Sequence, residues 1–262
     1  MKLARVYKTY IIVVLLLTAF GSGAQERVQT HFEKGLAAYQ AKNYAEAQTN
    51  LSAALEESPN NLAVLNNLAL TLLELNQKGK ALAYWLKALK LDPGFEEAQK
   101  GAAFVRSKLA SNAFSVKETD FESLRKSLLT GLSLNFMFGL TAITFLVAGL
   151  QWIRHLSQVK KATQEEAAPP PVSLVSIAFS TIFVLCAVTL SLKMWDHLTP
   201  RAIVIKEKVE LKIAPGADQS KIVELNEGTE VEIGLVKDVW VQVKIPGNYS
   251  GWLNKEEIQI IL

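Results

Sequence analysis

Between Lys126 and Arg154, and again between Glu166 and Lys193, the chain carries no charged side chain. Each interval can supply the ~20 apolar residues that cross the hydrocarbon core of a bilayer. Two membrane helices are therefore predicted, at residues 128–153 and 172–193. The loop between them, 154–171, holds Lys160, Lys161, Glu165, Glu166 and the run Pro169, Pro170, Pro171. A pair of spans returns the chain to the side it left, so whatever precedes the first span and whatever follows the second are expected in one compartment.

Composition narrows the possible functions. With 262 residues, half of them hydrophobic, the chain is too long for one small domain and too apolar for an ordinary soluble one, so several small modules are expected. The net charge is +3, and no basic run interleaves with aromatic residues, so nucleic acid is not an expected partner. Cys186 is solitary, which excludes an intramolecular disulfide or a CxxC metal knuckle. His31, His155 and His197 are far apart and lack ligands at metal-site spacing, so no metal is assigned. There is no P-loop, dinucleotide glycine pattern, GxSxG elbow or HExxH. The carboxylate pairs Glu56-Glu57, Glu96-Glu97, Glu165-Glu166 and Glu256-Glu257 fall on helix ends, a linker or a strand edge, without a partner to tune them for proton transfer. The chain reads as a non-enzyme that uses no cofactor.

Lys2, Arg5 and Lys8 precede an apolar run over residues 10–20 and the small residues Ser22 and Ala24. This is the pattern of a secretory signal peptide, residues 1–24, cleaved before Gln25. An uncleaved anchor is the alternative, and it leaves Gln25 on the same side. Export of Gln25 onward puts the 154–171 loop in the cytoplasm and both flanking modules outside it, at the inner membrane. Positive-inside counting does not decide the orientation, because Arg125, Lys126, Lys193 and Arg201 offset the loop lysines.

Residues 25–110 contain a repeat of ~34 residues. Gly35 corresponds to Ala69, Ala47 to Ala81, Leu51 to Trp85, Ala54 to Ala88 and Pro59 to Pro93. These positions resemble the tetratricopeptide family, a solenoid of helix pairs. His31 and Lys34 depart from it, standing where the family has an aromatic and a leucine. Beyond Pro93, Ala98, Ala102, Val105 and Leu109 have helical spacing and suit a capping helix. The resemblance implies a concave face built from first helices, here Phe32, Leu36 and Tyr39 with Asn66, Leu70 and Glu74, as a groove for a partner peptide or helix. The alternative is that Phe32 and Leu36 only pack against the neighbouring turn. Phe32 and Leu36 also stand where some family members clamp a chaperone tail with polar residues, so that ligand is not expected.

Residues 111–127 read as a polar connector, with Thr119 or Asp120 placed to cap a short helix. In the spans, Gly131, Asn135, Gly139 and Gly149 on one side and Ser173, Ser176 and Ser180 on the other are expected to form the seam of the hairpin, with an oligomer or partner contact as the alternative for the first set.

From residue 201 the apolar period changes from helical to alternating. Six short strands are predicted within 202–253, punctuated by Pro215-Gly216, Glu227-Gly228 and Pro246-Gly247. Val209, Leu211, Ala214-Pro215-Gly216, Trp240 to Val243 and Gly251-Trp252-Leu253 resemble the bacterial SH3 family, which implies a small all-β barrel over 201–262. Trp240 and Trp252 carry two readings: a ligand groove for a peptide or cell-wall stem, or filling of the barrel core.

The order of modules resembles the BatE-type proteins of aerotolerance (Bat) operons. That resemblance implies a scaffold in an envelope complex, with membrane-anchored von Willebrand A-type Bat proteins as partners and a link to oxidative stress tolerance. A peptidoglycan sensor acting through the SH3-like domain is the competing reading.

Overall fold

The computed structural model describes residues 27–109, 133–245 and 249–261. The expected signal peptide and the polar connector lie outside the described residues. The chain divides into two compact units: the N-terminal helices with the C-terminal sheet, and the two long apolar helices between them.

Five helices begin the first unit: α1 (residues 27–40), α2 (Tyr44–Glu57), α3 (Leu62–Glu74), α4 (Lys78–Leu91) and α5 (Glu96–Leu109). Asparagines start two of them. The Asn43 side chain accepts from the Glu46 amide, and the Asn61 side chain accepts from the Ala63 and Val64 amides, satisfying donors that a helix leaves orphaned at its first turn. The repeat is visible in the turns themselves. Lys42 and Asn76, one ~34-residue period apart, both sit in the left-handed region, with φ of 59° and 58°. The next amides, Asn43 and Gln77, close the same long turn onto Ala38 O and Leu72 O.

The helices bury Leu51, Leu65, Leu68, Leu72, Leu82 and Trp85 with Ala69, Ala81, Ala88 and Ala102. Small residues mark the closest crossings. A Cβ on Gly35 would meet Leu51 Cγ at 2.6 Å, and one on Gly101 would meet the Trp85 ring at 2.3 Å. No side chain larger than hydrogen fits at either crossing.

Seven strands follow: β1 (Arg201–Val204), β2 (Lys208–Lys212), β3 (Lys221–Asn226), β4 (Glu230–Lys237), β5 (Trp240–Ile245), β6 (Tyr249–Asn254) and β7 (Ile258–Ile260). Every pairing is antiparallel, and the order is β3-β2-β6-β5-β4-β1-β7. The expected barrel is thus an open sheet, with β3 and β7 as its edges. It still curls, because all seven strands contribute to one buried cluster that includes Val204, Leu211, Leu225, Val231, Val243, Leu253 and Ile258.

Sheet and helices share a core. On β1, Ala202 and Val204 face the sheet cluster, while Ile203 joins the helical cluster together with Ile261. Burial on both faces explains why three consecutive residues of β1 are buried in an otherwise alternating sheet. Backbone closes against backbone at Gly79 in α4, where a Cβ would meet Val204 O at 2.8 Å and Ile205 Cα at 3.0 Å. The Gly79 amide donates to Glu227 Oε1 at 2.6 Å. The α4 N-cap, Gln77, makes no side-chain cap, so a carboxylate from the β3–β4 turn serves the N-terminus of this helix, where negative charge is favoured. Gly228, at φ +86°, lets the same turn pass Leu109, whose Cδ1 lies 2.4 Å from where a Cβ would stand.

The second unit is a pair of helices, α6 (Leu134–Gln164) and α7 (Leu174–Leu198), both long and apolar enough to cross a membrane. Ser133 and Ser173 cap them. Their seam differs from the expected one. Met137, Thr144 and Ala148 are the buried residues of α6, whereas a Cβ on Gly139 or Gly149 would meet nothing within 4 Å and Asn135 is exposed. Two of the three expected serines do lie at the seam: Ser176 is buried, and Ser180 Oγ accepts from Trp152 Nε1 at 2.9 Å, whereas Ser173 is exposed. Phe145 and Phe183 also meet between the two helices, with ring centroids 5.3 Å apart and planes inclined at 50°.

Candidate functional site

The residues expected to line a groove stand on α1 and α3, the first helices of the two repeats. Leu36, Tyr39, Asn66 and Leu70 are half-buried and Glu74 is exposed. Phe32 and Leu70 also pack against the helical core, so their inner faces serve stability while their outer faces remain accessible. Asn66 is already engaged: its Oδ1 accepts from Trp85 Nε1 at 2.8 Å. That bond satisfies the one polar atom of a buried indole, which makes Asn66 a positioning residue for α4 and leaves its amide NH2 as the group still able to donate.

At the turn end of this face Tyr39, Tyr44 and Glu74 come together from three helices. The Tyr39 and Tyr44 rings meet edge-on, with centroids 5.5 Å apart. Burial pushes the Tyr39 hydroxyl above its ordinary pKa, and the Glu74 carboxylate and Tyr44 add to the effect. Tyr44 is raised in the same way, first by burial, then by the charge of Glu74 and a hydrogen bond to it. Both phenols therefore stay protonated donors beside a carboxylate, a polar end to an otherwise aliphatic face. Tyr44 was not foreseen, since it opens a second helix and carries no periodic signal.

The sheet places its two tryptophans together and outside its core. On β5 the inward residues are Val241, Val243 and Ile245, and on β6 they are Gly251 and Leu253. By alternation Trp240 and Trp252 face the other way, and neither belongs to the sheet cluster. Trp252 pairs with Gln242 and Trp240 with Asn254, so the indoles are diagonal neighbours on adjacent strands, a spacing of roughly 7–8 Å between backbones. Both are half-buried. Of their two sequence readings, filling of the core is the one this geometry does not support.

A tetratricopeptide repeat family model matches residues 38–103. Among solved structures the chain is similar to the TPR domain of Arabidopsis OM64, at 26% identity over 34% of this chain and 73% of that one, with a TM-score of 0.33. None of the curated proteins compared with the chain matches it. Residues 38–103, with their paired helices and period-matched turns, are a tetratricopeptide repeat region.

Proposed function

We propose that the chain is a non-catalytic, membrane-anchored scaffold whose α1–α3 face docks a partner protein in an envelope complex at the outer face of the inner membrane. The observation that carries this reading is the repeat region, whose first-helix face keeps Leu36, Tyr39 and Leu70 partly accessible. The two-span anchor is supported by the first unit. Residues 27–109 and 200–261 pack as one body although two apolar helices separate them in sequence, as a chain that leaves and re-enters the same side of a bilayer requires. The resemblance to BatE-type proteins supplies the partner class, von Willebrand A-type Bat membrane proteins, and the setting of oxidative stress tolerance.

Affinity purification of the full-length chain from solubilised membranes is expected to recover such partners, and Leu36→Glu with Leu70→Glu is expected to lose them. A charge placed in an apolar contact without a partner costs several kcal/mol, enough to reduce recovery by orders of magnitude. Unchanged recovery sinks the groove. A second reading, binding of peptidoglycan or an extended peptide by the sheet, is favoured by the outward pairing of Trp240 and Trp252. The same purified protein sediments with sacculi if that reading holds, and Trp252→Ala then leaves it in the supernatant.

A further inference from the structure

The α1–α3 face is aliphatic along Leu36 and Leu70 and changes character at its turn end, where Tyr39, Tyr44 and Glu74 meet. Glu74 is the last residue of α3, and that helix has no basic residue in its last turn. A carboxylate there adds to the negative end of the helix dipole, where a cation is the favoured charge. No lysine or arginine among the described residues pairs with Glu74, and that includes Lys42 and Lys78, the basic residues nearest to the two adjoining turns. The amino end of α2 begins at Tyr44 and opposes this field, but Asn43 and Glu46 already answer it. The corner is left with a negative charge that nothing in the described chain neutralises.

The tyrosines favour the same kind of ligand. Their rings meet with centroids 5.5 Å apart and planes 63° apart, an edge-to-face arrangement in which the ring that gives its edge keeps both faces clear of the other. The negative face of an aromatic ring attracts a cation. Burial first, and Glu74 second, hold both hydroxyls above their ordinary pKa, so the carboxylate and the rings border the same space. Both rings are half-buried and Glu74 is exposed, which leaves the corner open from outside. An ammonium or guanidinium entering it finds a carboxylate, aromatic faces and the carboxyl end of a helix, and its methylene stem can lie along the rings. An acidic side chain entering it meets the charge of Glu74.

We infer that this corner takes a lysine or arginine side chain of the docked segment, whose apolar residues lie on Leu36 and Leu70. The inference deepens the docking reading above and rests on it. It makes Tyr39, Tyr44 and Glu74 the residues that choose among apolar segments, which the aliphatic part of the face cannot tell apart by charge.

The test selects ligands for the full-length chain in lipid nanodiscs from a displayed library of random peptides, keeping those that Leu36→Glu with Leu70→Glu releases. These are expected to share a lysine or arginine at a fixed distance from their apolar residues. Glu74→Gln keeps the shape of the side chain and removes its charge, and it is expected to weaken such a peptide about tenfold, the scale of a hydrogen bond to a charged group. Changing the peptide's basic residue to glutamine is expected to cost the same in the unaltered protein and almost nothing more in Glu74→Gln. Equal loss in the two proteins places the cation elsewhere and overturns the inference. Groove peptides without a shared basic residue also overturn it, while the docking reading stands. If the selection yields no peptide that Leu36→Glu with Leu70→Glu releases, the docking reading has failed and the inference with it.

Discussion

Trp85→Ala is expected to destabilise the helical repeats by about 3–5 kcal/mol, the usual range for emptying a large aromatic site in a core. Trp85 is 1% exposed, and it is the largest of the fully buried side chains. Its ring is the surface against which Gly101 of α5 closes, so truncation opens a void that α5 cannot fill without moving off its crossing. The hydrogen bond to Asn66 contributes less, about 0.5–1.5 kcal/mol. Packing dominates, and Trp85→Phe is expected to recover most of the loss although it cannot donate to Asn66. Hydrogen exchange of the full-length protein, read by mass spectrometry over α3, α4 and α5, checks this. The alanine variant should lose protection throughout those helices and the phenylalanine variant should retain it. Equal losses in the two would mean that the hydrogen bond, and not the ring, holds the repeats together.

Gly79→Val is expected to release the sheet from the helices. A side chain there must displace Val204 O, Glu227 and the backbone at Ile205, and neither of the two main-chain groups is the end of a flexible side chain that can swing aside. Overpacking of this kind costs about 1–3 kcal/mol, and the change also pulls Glu227 from the α4 N-terminus, where its loss is worth up to about 2 kcal/mol. The expected result is faster exchange in β1 and in the first turn of α4, with Val241 to Val243 in the sheet core unchanged. Glu227→Gln is the milder probe, since it keeps an oxygen acceptor and removes the charge. If Gly79→Val leaves β1 protected, the sheet and helices are held by their other contacts, those of Ile203 and Ile261 among them, and the glycine contact is incidental.

Much of the architecture can be read along the chain because it is periodic. Alanines and prolines recurring at ~34 residues mark the helix pairs, and the turns obey the same register down to the left-handed Lys42 and Asn76. Alternation located six strands to within a few residues. It missed β7, only three residues long, and the last four residues of β4, where the bulge after Ile233 breaks the alternation on which the reading depended. The groove residues were placed on α1 and α3 by phase, but phase could not show that Asn66 holds Trp85, nor that Tyr44 joins Tyr39 and Glu74.

The amino-acid order by itself determined the elements: two uncharged stretches long enough to span a bilayer, a helical repeat, and a run of short strands. Each of these follows from a local rule, because hydropathy, period and turn chemistry act between residues a few positions apart. Only the tertiary structure decided that the sheet docks on α4 and α5, that the sheet stays open, that the hairpin seam runs through Met137, Thr144 and Ala148 instead of Gly139 and Gly149, and that both sheet tryptophans face outward. Those outcomes depend on complementary surfaces brought together over long separations, as when Gly79 meets Glu227 across 148 residues, and no periodicity in the chain encodes such a pair.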